Sequence, residues 1–241
     1  MKILLTGTQG YRRGFIGNNF LRTYYDKYDI DEYEDDIRTG DFFNRYDMVI
    51  HLAAMAGVRK SHEEPELYWD VNVNGSKRLF DFYGERGVPV IYASSSSVYE
   101  WWQSPYATTK WAMESVASKE SLGLRFHTVY GEDSRADMLY DMLLNKQVSY
   151  LTNHTRDWTH VEDICSAIDI CIQNFDTLKA RKAIDVGNGD PVSVLDLADH
   201  VWPGNELPLR VVDGERVNTC ADPTHLLMHG WKPKHHILDP L

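Results

Sequence analysis

The chain alternates short apolar runs with longer segments in which apolar residues recur at helical spacing. The short runs predict buried strands at Ile3–Leu5, Tyr46–Leu52, Pro89–Ala93 and Gly123–Tyr130. The longer segments predict helices at Phe15–Tyr25, Glu66–Arg86, Tyr106–Glu120, Asp137–Asn145 and Val161–Phe175. Because strands and helices alternate, the pattern predicts an α/β fold, a Rossmann-like doubly wound parallel sheet.

Two regions depart from this pattern. Residues 28–37 hold six acidic residues in ten and are a poor candidate for a buried strand, so we expect the outer half of the sheet to be abbreviated. After about Gly131 the alternation loosens, and Pro and Gly interrupt the last fifty residues. We therefore expect residues 1–130, with parts of 155–190, to form the Rossmann-like unit. Residues 131–155 and 190–241 are expected to form a small C-terminal cap.

Composition excludes several classes of protein. With 25 Lys+Arg against 36 Asp+Glu, the net charge of -11 argues against nucleic-acid or anionic-membrane binding. No apolar stretch is long enough to span a membrane, and Ile3–Leu5 is too short for a signal peptide. The three cysteines show neither a paired framework nor metal-ligand spacing. These features predict a cytoplasmic protein without a metal site.

A glycine-rich loop follows the first predicted strand and precedes the first helix. It reads TGTQGYRRGFIG over residues 6–17. Glycines let the backbone turn tightly and approach a pyrophosphate, and the helix N-terminus faces that anion. The loop predicts a dinucleotide site formed by Gly7, Gly10, Gly14, Phe15, Ile16 and Gly17.

A second pattern places a phenol beside an amine. Tyr106 and Lys110 stand four residues apart at the start of a predicted helix and so share one face. A neighbouring ammonium favours the phenolate, which predicts a lowered pKa for Tyr106 and a role as general base. Four serines, Ser94 to Ser97, end the preceding predicted strand.

These motifs together resemble those of the extended short-chain dehydrogenase/reductase family of nucleotide-sugar enzymes. The family loop reads TGxxGFIG, and four extra residues separate its two halves here. Further similar segments are HLAA (51–54), AGVR (56–59), NVNGS (72–76), RFHTVYG (125–131), RDWTHVED (156–163) and NTCAD (218–222).

The resemblance implies NAD as cofactor and a catalytic set of Ser95, Tyr106 and Lys110. It adds Asp36, Ile37, Leu52, Ala53, Ala54 and Asn72 to the cofactor site, which Tyr106 and Lys110 also contact. Arg12 and Arg13 in the inserted residues leave NADP open, and either Glu34 or Asp35 is a candidate to bind the adenosine ribose. In this reading the first unit binds NAD and the cap binds the nucleotide sugar.

The expected reaction is epimerisation at C4, through a 4-keto sugar, with Tyr106 as base. Relatives that dehydrate or decarboxylate carry acidic residues where this chain has Ser96 and Ser97. The segment from Thr128 to Arg135 is similar to that of UDP-glucuronate 4-epimerases, whose threonine and arginine hold the sugar carboxylate. A surface arginine paired with Asp133 or Asp137 is the alternative reading.

The remaining substrate-site candidates are Arg59, Ser96, Ser97 and Arg156, so a UDP-sugar, with UDP-glucuronate favoured, is the expected substrate. A decarboxylase or dehydratase, or a catalytically silent NAD(P)-binding regulator, stays the alternative. Helices matching Glu66–Arg86 and Tyr106–Glu120 form the dimer face in relatives, so we expect a homodimer. His160 stands where relatives commonly have a tyrosine. It is either a histidine of the core or a contact for a substrate phosphate.

Overall fold

The computed structural model describes residues 1–9, 14–212 and 214–240. Its strands are β1 (Lys2–Thr6), β2 (Asp29–Tyr33), β3 (Met48–His51), β4 (Val90–Ser95), β5 (Ser121–Phe126), β6 (Thr128–Tyr130), β7 (Leu151–Thr152), β8 (Thr155–His160), β9 (Ala183–Val186), β10 (Pro191–Ser193) and β11 (Leu209–Arg210). Its α-helices are α1 (Phe15–Tyr24), α2 (Val58–Glu63), α3 (Pro65–Trp69), α4 (Ser76–Gly84), α5 (Pro105–Val116), α6 (Leu139–Leu144), α7 (Val161–Gln173), α8 (Phe175–Leu178), α9 (Val194–Val201) and α10 (Thr224–Met228).

The main sheet has the order β2-β1-β3-β4-β5-β9, and all of its neighbouring strands are parallel. Successive side chains of β1 enter opposite layers, as strand geometry requires. Ile3 packs in the core that contains Phe20 of α1 and Ile164 of α7, whereas Leu4 packs in the core that contains Phe80 of α4. Helices therefore cover both faces, which confirms the predicted doubly wound α/β fold.

The acidic segment forms an edge strand that the sequence did not predict. Its carboxylates are tolerated because β2 pairs only with β1 in the described sheet, and Asp31 forms ion pairs with Lys2 and Arg45. Among the described residues no strand lies outside β2, in agreement with the expected abbreviation of this half of the sheet.

Two other predicted elements are divided in the structure. The helix expected at Glu66–Arg86 consists of α3, a π-helical segment at Asp70–Gly75, and α4. The strand expected at Gly123–Tyr130 is interrupted at His127, and β6 pairs with β8 in a second sheet of order β10-β8-β6. Apolar periodicity does not reveal either break.

A third apolar core lies in the C-terminal part of the chain. It contains Tyr130, Leu143, Trp158 and Leu197, which come from β6, α6, β8 and α9. A separate small core suits the predicted cap, although its exact boundaries stay a prediction. In the described ranges no helix is long and apolar enough to cross a membrane. All three cysteines are free.

Candidate functional site

The glycines of the loop bring the end of β1 against the start of α1. Gly7 has φ 89°, and a Cβ there would lie 2.6 Å from the backbone nitrogen of Ala53. A Cβ on Gly14 would lie 1.5 Å from the Gly7 carbonyl oxygen, and one on Gly17 would lie 2.7 Å from it. Larger residues would therefore force the strand and helix apart.

The start of α1 suits a pyrophosphate. Gly14 is its N-cap and provides no side-chain hydrogen bond, so the first amide groups of this ten-residue helix keep their donors for an anion. Asn18 fixes the loop by donating to the carbonyl oxygens of Thr8 (3.0 Å) and Gly14 (2.9 Å). Thr8 Oγ1 is buried and has no hydrogen-bond partner among the described residues. These features fit the phosphates of NAD.

The other loop candidates divide into two groups. Phe15 and Ile16 are partly buried and pack against the core that contains α7. Gly10, like Arg12 and Arg13, lies outside the residues that the structure describes.

The segment after β3 is fixed beside this loop by polar contacts. Thr6 Oγ1 accepts from the Ala53 amide at 3.1 Å and is hydrogen-bonded to His51 Nδ1 at 2.8 Å. His51 Nε2 is hydrogen-bonded to Ser76 Oγ at 2.9 Å. Burial, together with the nearby Lys110 charge, lowers the pKa of His51 to about 3, so its ring is neutral. These contacts fix the segment that contains Leu52, Ala53 and Ala54, and its contact with the cofactor stays a prediction.

Asn72 joins this segment to α5. It is fully buried within the π-helical turn, a conformation common at functional sites. Its side chain accepts from the Met55 amide (2.7 Å), donates to the Met55 carbonyl (3.0 Å) and donates to Thr109 Oγ1 (3.0 Å). Asn72 therefore positions other groups of the site through these bonds.

Of the two neighbouring cofactor-site candidates Asp36 and Ile37, the first lies at the surface and the second in the core. Asp36 is exposed, and hydrogen bonds from Arg38 lower the pKa of its carboxyl. Ile37 is buried and would contact any Cβ placed on Gly75. Glu34 and Asp35 follow β2 directly, and the end of β2 is paired with Thr6.

The predicted catalytic residues Tyr106 and Ser95 meet at the carboxyl end of β4. Ser104 caps α5 by accepting from the Ala107 amide, so Tyr106 lies in the first turn. The side chain of Ser95, the last residue of β4, lies close enough to the phenol to act on its pKa. Ser95 also donates to Ser97 Oγ at 3.2 Å. The structure thus brings Tyr106 and Ser95 together, as the motif predicts.

Lys110 lies one turn further along α5, and its residue is only 2% exposed. Its Nζ donates to the Ala93 carbonyl oxygen at 2.7 Å. Burial lowers the pKa of Lys110 to about 7, and the charge of Glu114 opposes that shift. Glu114 is held by Arg125 and accepts from Ser94 Oγ at 2.6 Å.

The predicted lowering of the Tyr106 pKa is wrong for the protein alone. Burial raises the pKa of this phenol, which outweighs the lowering effects of the Ser95 hydrogen bond and the Arg135 charge. A desolvated phenolate costs more than these two groups recover.

The substrate-side candidates lie around this centre. Ser96 is buried and Thr128 begins β6. Arg135 is near enough for its charge to act on Tyr106, and its Nε also donates to Asp137 Oδ1 at 3.0 Å. Both readings of Arg135 therefore have support in the structure, the site arginine and the ion-paired arginine. Arg59 lies exposed on α2.

Two arginines enter from the C-terminal part, and one of them was missed from the sequence. Arg156 donates to the Val217 carbonyl at 3.0 Å and pairs with Glu215. Arg216, the missed residue, donates to the Ser96 carbonyl at 3.1 Å and to Glu100 at 3.2 Å. The charge of Arg216 helps to lower the pKa of the Arg156 guanidinium, although burial is the larger cause. The two cations therefore lie close together.

Comparisons with known proteins agree with this geometry. Residues 3–187 match the model of the NAD dependent epimerase/dehydratase family. Uncharacterized protein MJ1055 of Methanocaldococcus jannaschii is 30% identical over 259 residues, which cover 92% of this chain and 78% of that protein. UDP-glucuronate 4-epimerase 3 of Arabidopsis thaliana is 32% identical over 195 residues, which cover 62% of this chain and 45% of that enzyme.

Among solved structures, UDP-glucuronic acid 4-epimerase from Bacillus cereus in complex with UDP-glucuronic acid and NAD superposes with a TM-score of 0.82. The alignment covers 99% of this chain and 96% of that one at 22% identity, which shows a shared fold. The family model covers well over half of the sequence and carries the predicted NAD dependence in its name. The chain therefore belongs to the NAD dependent epimerase/dehydratase family.

Proposed function

We propose that this chain is an NAD-dependent C4 epimerase of a UDP-sugar and that UDP-glucuronate, converted to UDP-galacturonate, is its preferred substrate. The observation that carries the proposal is that the Tyr106 phenol and the Ser95 side chain lie together at the end of β4, close enough for Ser95 to act on the pKa of the phenol. Lys110 is buried one turn further along α5 than Tyr106. The charge of Arg135 acts on the pKa of the Tyr106 phenol.

Each catalytic side chain has a distinct role. Tyr106 takes the proton of the sugar 4-hydroxyl, Ser95 hydrogen-bonds the same oxygen, and Lys110 stabilises the phenolate. Bound NAD would supply a reversible acceptor for the C4 hydride, which a return to the opposite face of the 4-keto sugar requires. Ser96 and Ser97 offer no acid or base for elimination, which favours epimerisation over dehydration.

The cationic side chains match the two anionic parts of the substrate. Arg135 is suited to hold the sugar carboxylate, because a guanidinium fork binds a carboxylate through two hydrogen bonds. A held carboxylate also resists loss of carbon dioxide from the 4-keto intermediate. Arg156 and Arg216 are suited to the diphosphate, and the relatives reported above include UDP-glucuronate 4-epimerases.

The end of β2 supports NAD over NADP. Glu34 and Asp35 follow β2 where it pairs with the end of β1, and an acid at that place binds the ribose hydroxyls and repels a 2′-phosphate. Which of the two acids binds stays open. A reducing, cytoplasmic location suits three cysteines that form no disulfide.

The expected homodimer has an aromatic surface available on α5 and on the 3₁₀-helical segment Ser96–Gln103 before it. Trp101 and Trp111 stack at a centroid distance of 4.8 Å, and both side chains are partly exposed. Trp102 beside them is 65% exposed. We propose that this surface, together with α4, forms the face between two copies.

The experiment that tests the function is proton NMR of the purified protein with NAD and UDP-glucuronate, following the anomeric signals. Formation of UDP-galacturonate without net NADH supports the proposal. UDP-xylose would identify a decarboxylase, and an unchanged spectrum with both UDP-glucuronate and neutral UDP-sugars would contradict catalysis of this kind.

Two variants assign the roles. Tyr106→Phe should abolish turnover while nucleotide binding persists, whereas Tyr25→Phe on the exposed end of α1 should leave turnover unchanged. Arg135→Ala should weaken UDP-glucuronate binding at least tenfold more than UDP-glucose binding, with Arg181→Ala as the matched surface control. Equal weakening of both sugars would contradict the carboxylate role.

A further inference from the structure

Two histidines and a glutamate meet where β8 passes into α7, outside the site described above. His160 ends β8, Glu162 lies in the first turn of α7, and His235 lies on the segment after α10. One potential ligand atom from each residue lies within 4.8 Å of the other two. His235 Nε2 is 3.6 Å from a carboxylate oxygen of Glu162.

Asp163 fixes the orientation of His235. This carboxylate is 2% exposed and accepts from the amides of Lys234 (2.9 Å) and His235 (3.0 Å). It also accepts from His235 Nδ1 at 3.1 Å. Because Nδ1 donates, the lone pair of Nε2 is left for a ligand, and a carboxylate–histidine pair of this kind typically supports a metal ion.

His160 also has a ring nitrogen with a lone pair, and its ligand atom lies within 4.8 Å of those of Glu162 and His235. Its Nδ1 accepts a long hydrogen bond of 3.3 Å from the Glu162 amide, so this nitrogen is unprotonated. Its ring is packed between Tyr130 and His235, at centroid distances of 5.1 and 4.1 Å. A metal ion would replace that weak bond without moving the backbone.

We propose that His160, Glu162 and His235 form a binding site for a borderline divalent transition-metal ion such as Zn²⁺, with Asp163 as the positioning residue. Two imidazoles and one carboxylate suit Zn²⁺, Co²⁺ or Ni²⁺, whereas Mg²⁺ and Ca²⁺ prefer oxygen ligands throughout. The Glu162 side chain is 65% exposed and is free to close on the ion. Such an ion would tie the C-terminal segment to α7.

The test uses the full chain without a histidine tag, treated with chelator and then titrated with ZnCl₂ by calorimetry. We expect one saturable site per chain, and a visible absorption spectrum when CoCl₂ is added instead. Glu162→Gln and His235→Ala should each weaken Zn²⁺ binding at least tenfold, whereas His62→Ala, an exposed histidine on α2, should not.

The exposed Glu162→Gln variant keeps the test independent of folding. Zn²⁺ should raise the melting temperature of the unaltered protein, since a hundredfold excess over Kd raises the folding constant about a hundredfold. It should raise that of Glu162→Gln far less. Absence of a one-to-one site, or equal Zn²⁺ affinity in Glu162→Gln, His235→Ala and the unaltered protein, would overturn the proposal.

Discussion

Replacement of Lys110 by methionine should remove one part of the pH dependence of stability. Lys110 is buried, with its pKa lowered from 10.5 to about 7, while in the unfolded chain it regains its ordinary value. Between these values the unfolded state binds more protons than the folded state. The free energy of unfolding therefore rises with pH across this range.

The expected magnitude follows from the two pKa values. The lowered pKa of Lys110 costs about 4 kcal/mol at pH 7 and about 2 kcal/mol at pH 9, because the fold holds the amine largely neutral and removing its proton costs less as the pH approaches 10.5. The unaltered protein should thus gain about 2 kcal/mol relative to Lys110→Met between pH 7 and pH 9. The carbonyl of Ala93 loses its partner in the variant, but that cost is the same at both pH values.

Urea unfolding followed by tryptophan fluorescence, without nucleotide, measures this difference at each pH. Other titrating groups are common to both proteins and cancel in the comparison. A difference between the two proteins that stays constant from pH 7 to pH 9 would refute the reasoning, because it would mean that Lys110 remains fully charged in the fold.

Three further outcomes are expected. Arg216→Ala should raise KM for the UDP-sugar about tenfold or more with little change in kcat, since it removes the guanidinium proposed to bind the diphosphate, whereas Arg181→Ala on the surface should change neither. Asn72→Ala should lower the free energy of unfolding by about 3 kcal/mol in urea titrations, because buried backbone groups lose their partners. Serine at both Trp101 and Trp111 should convert a dimer to a monomer in size-exclusion chromatography with light scattering.

The parts of the site that could be predicted are those set by local spacing. The glycines that let α1 approach β1 fall within one loop, and an i to i+4 spacing places Tyr106 and Lys110 on one face. Four serines follow the predicted strand, and the resemblance to the family selects Ser95 among them; Ser95 proves to be the last residue of β4. Each of these requirements acts over a few residues and leaves a pattern in the sequence.

Arg216 leaves no such pattern. It reaches Ser96 because the C-terminal segment returns across the sheet, 120 residues later in the chain. The π-helical turn that contains the buried Asn72 also leaves no pattern in the sequence, because its residues keep an ordinary helical spacing of apolar positions. Contacts of this kind depend on tertiary packing.

The sign of the Tyr106 shift shows how a correct pair can give a wrong conclusion. Lys110 does lie one turn from Tyr106 along α5, but desolvation opposes the charged form of each side chain. The raised pKa therefore keeps Tyr106 a neutral phenol beside Ser95 in the free protein. An additional positive charge at the site is needed to favour the phenolate, and the bound dinucleotide supplies one in its oxidised form. Under the proposed function, deprotonation of Tyr106 would be coupled to cofactor binding, so that the base would become active only where a hydride acceptor is present.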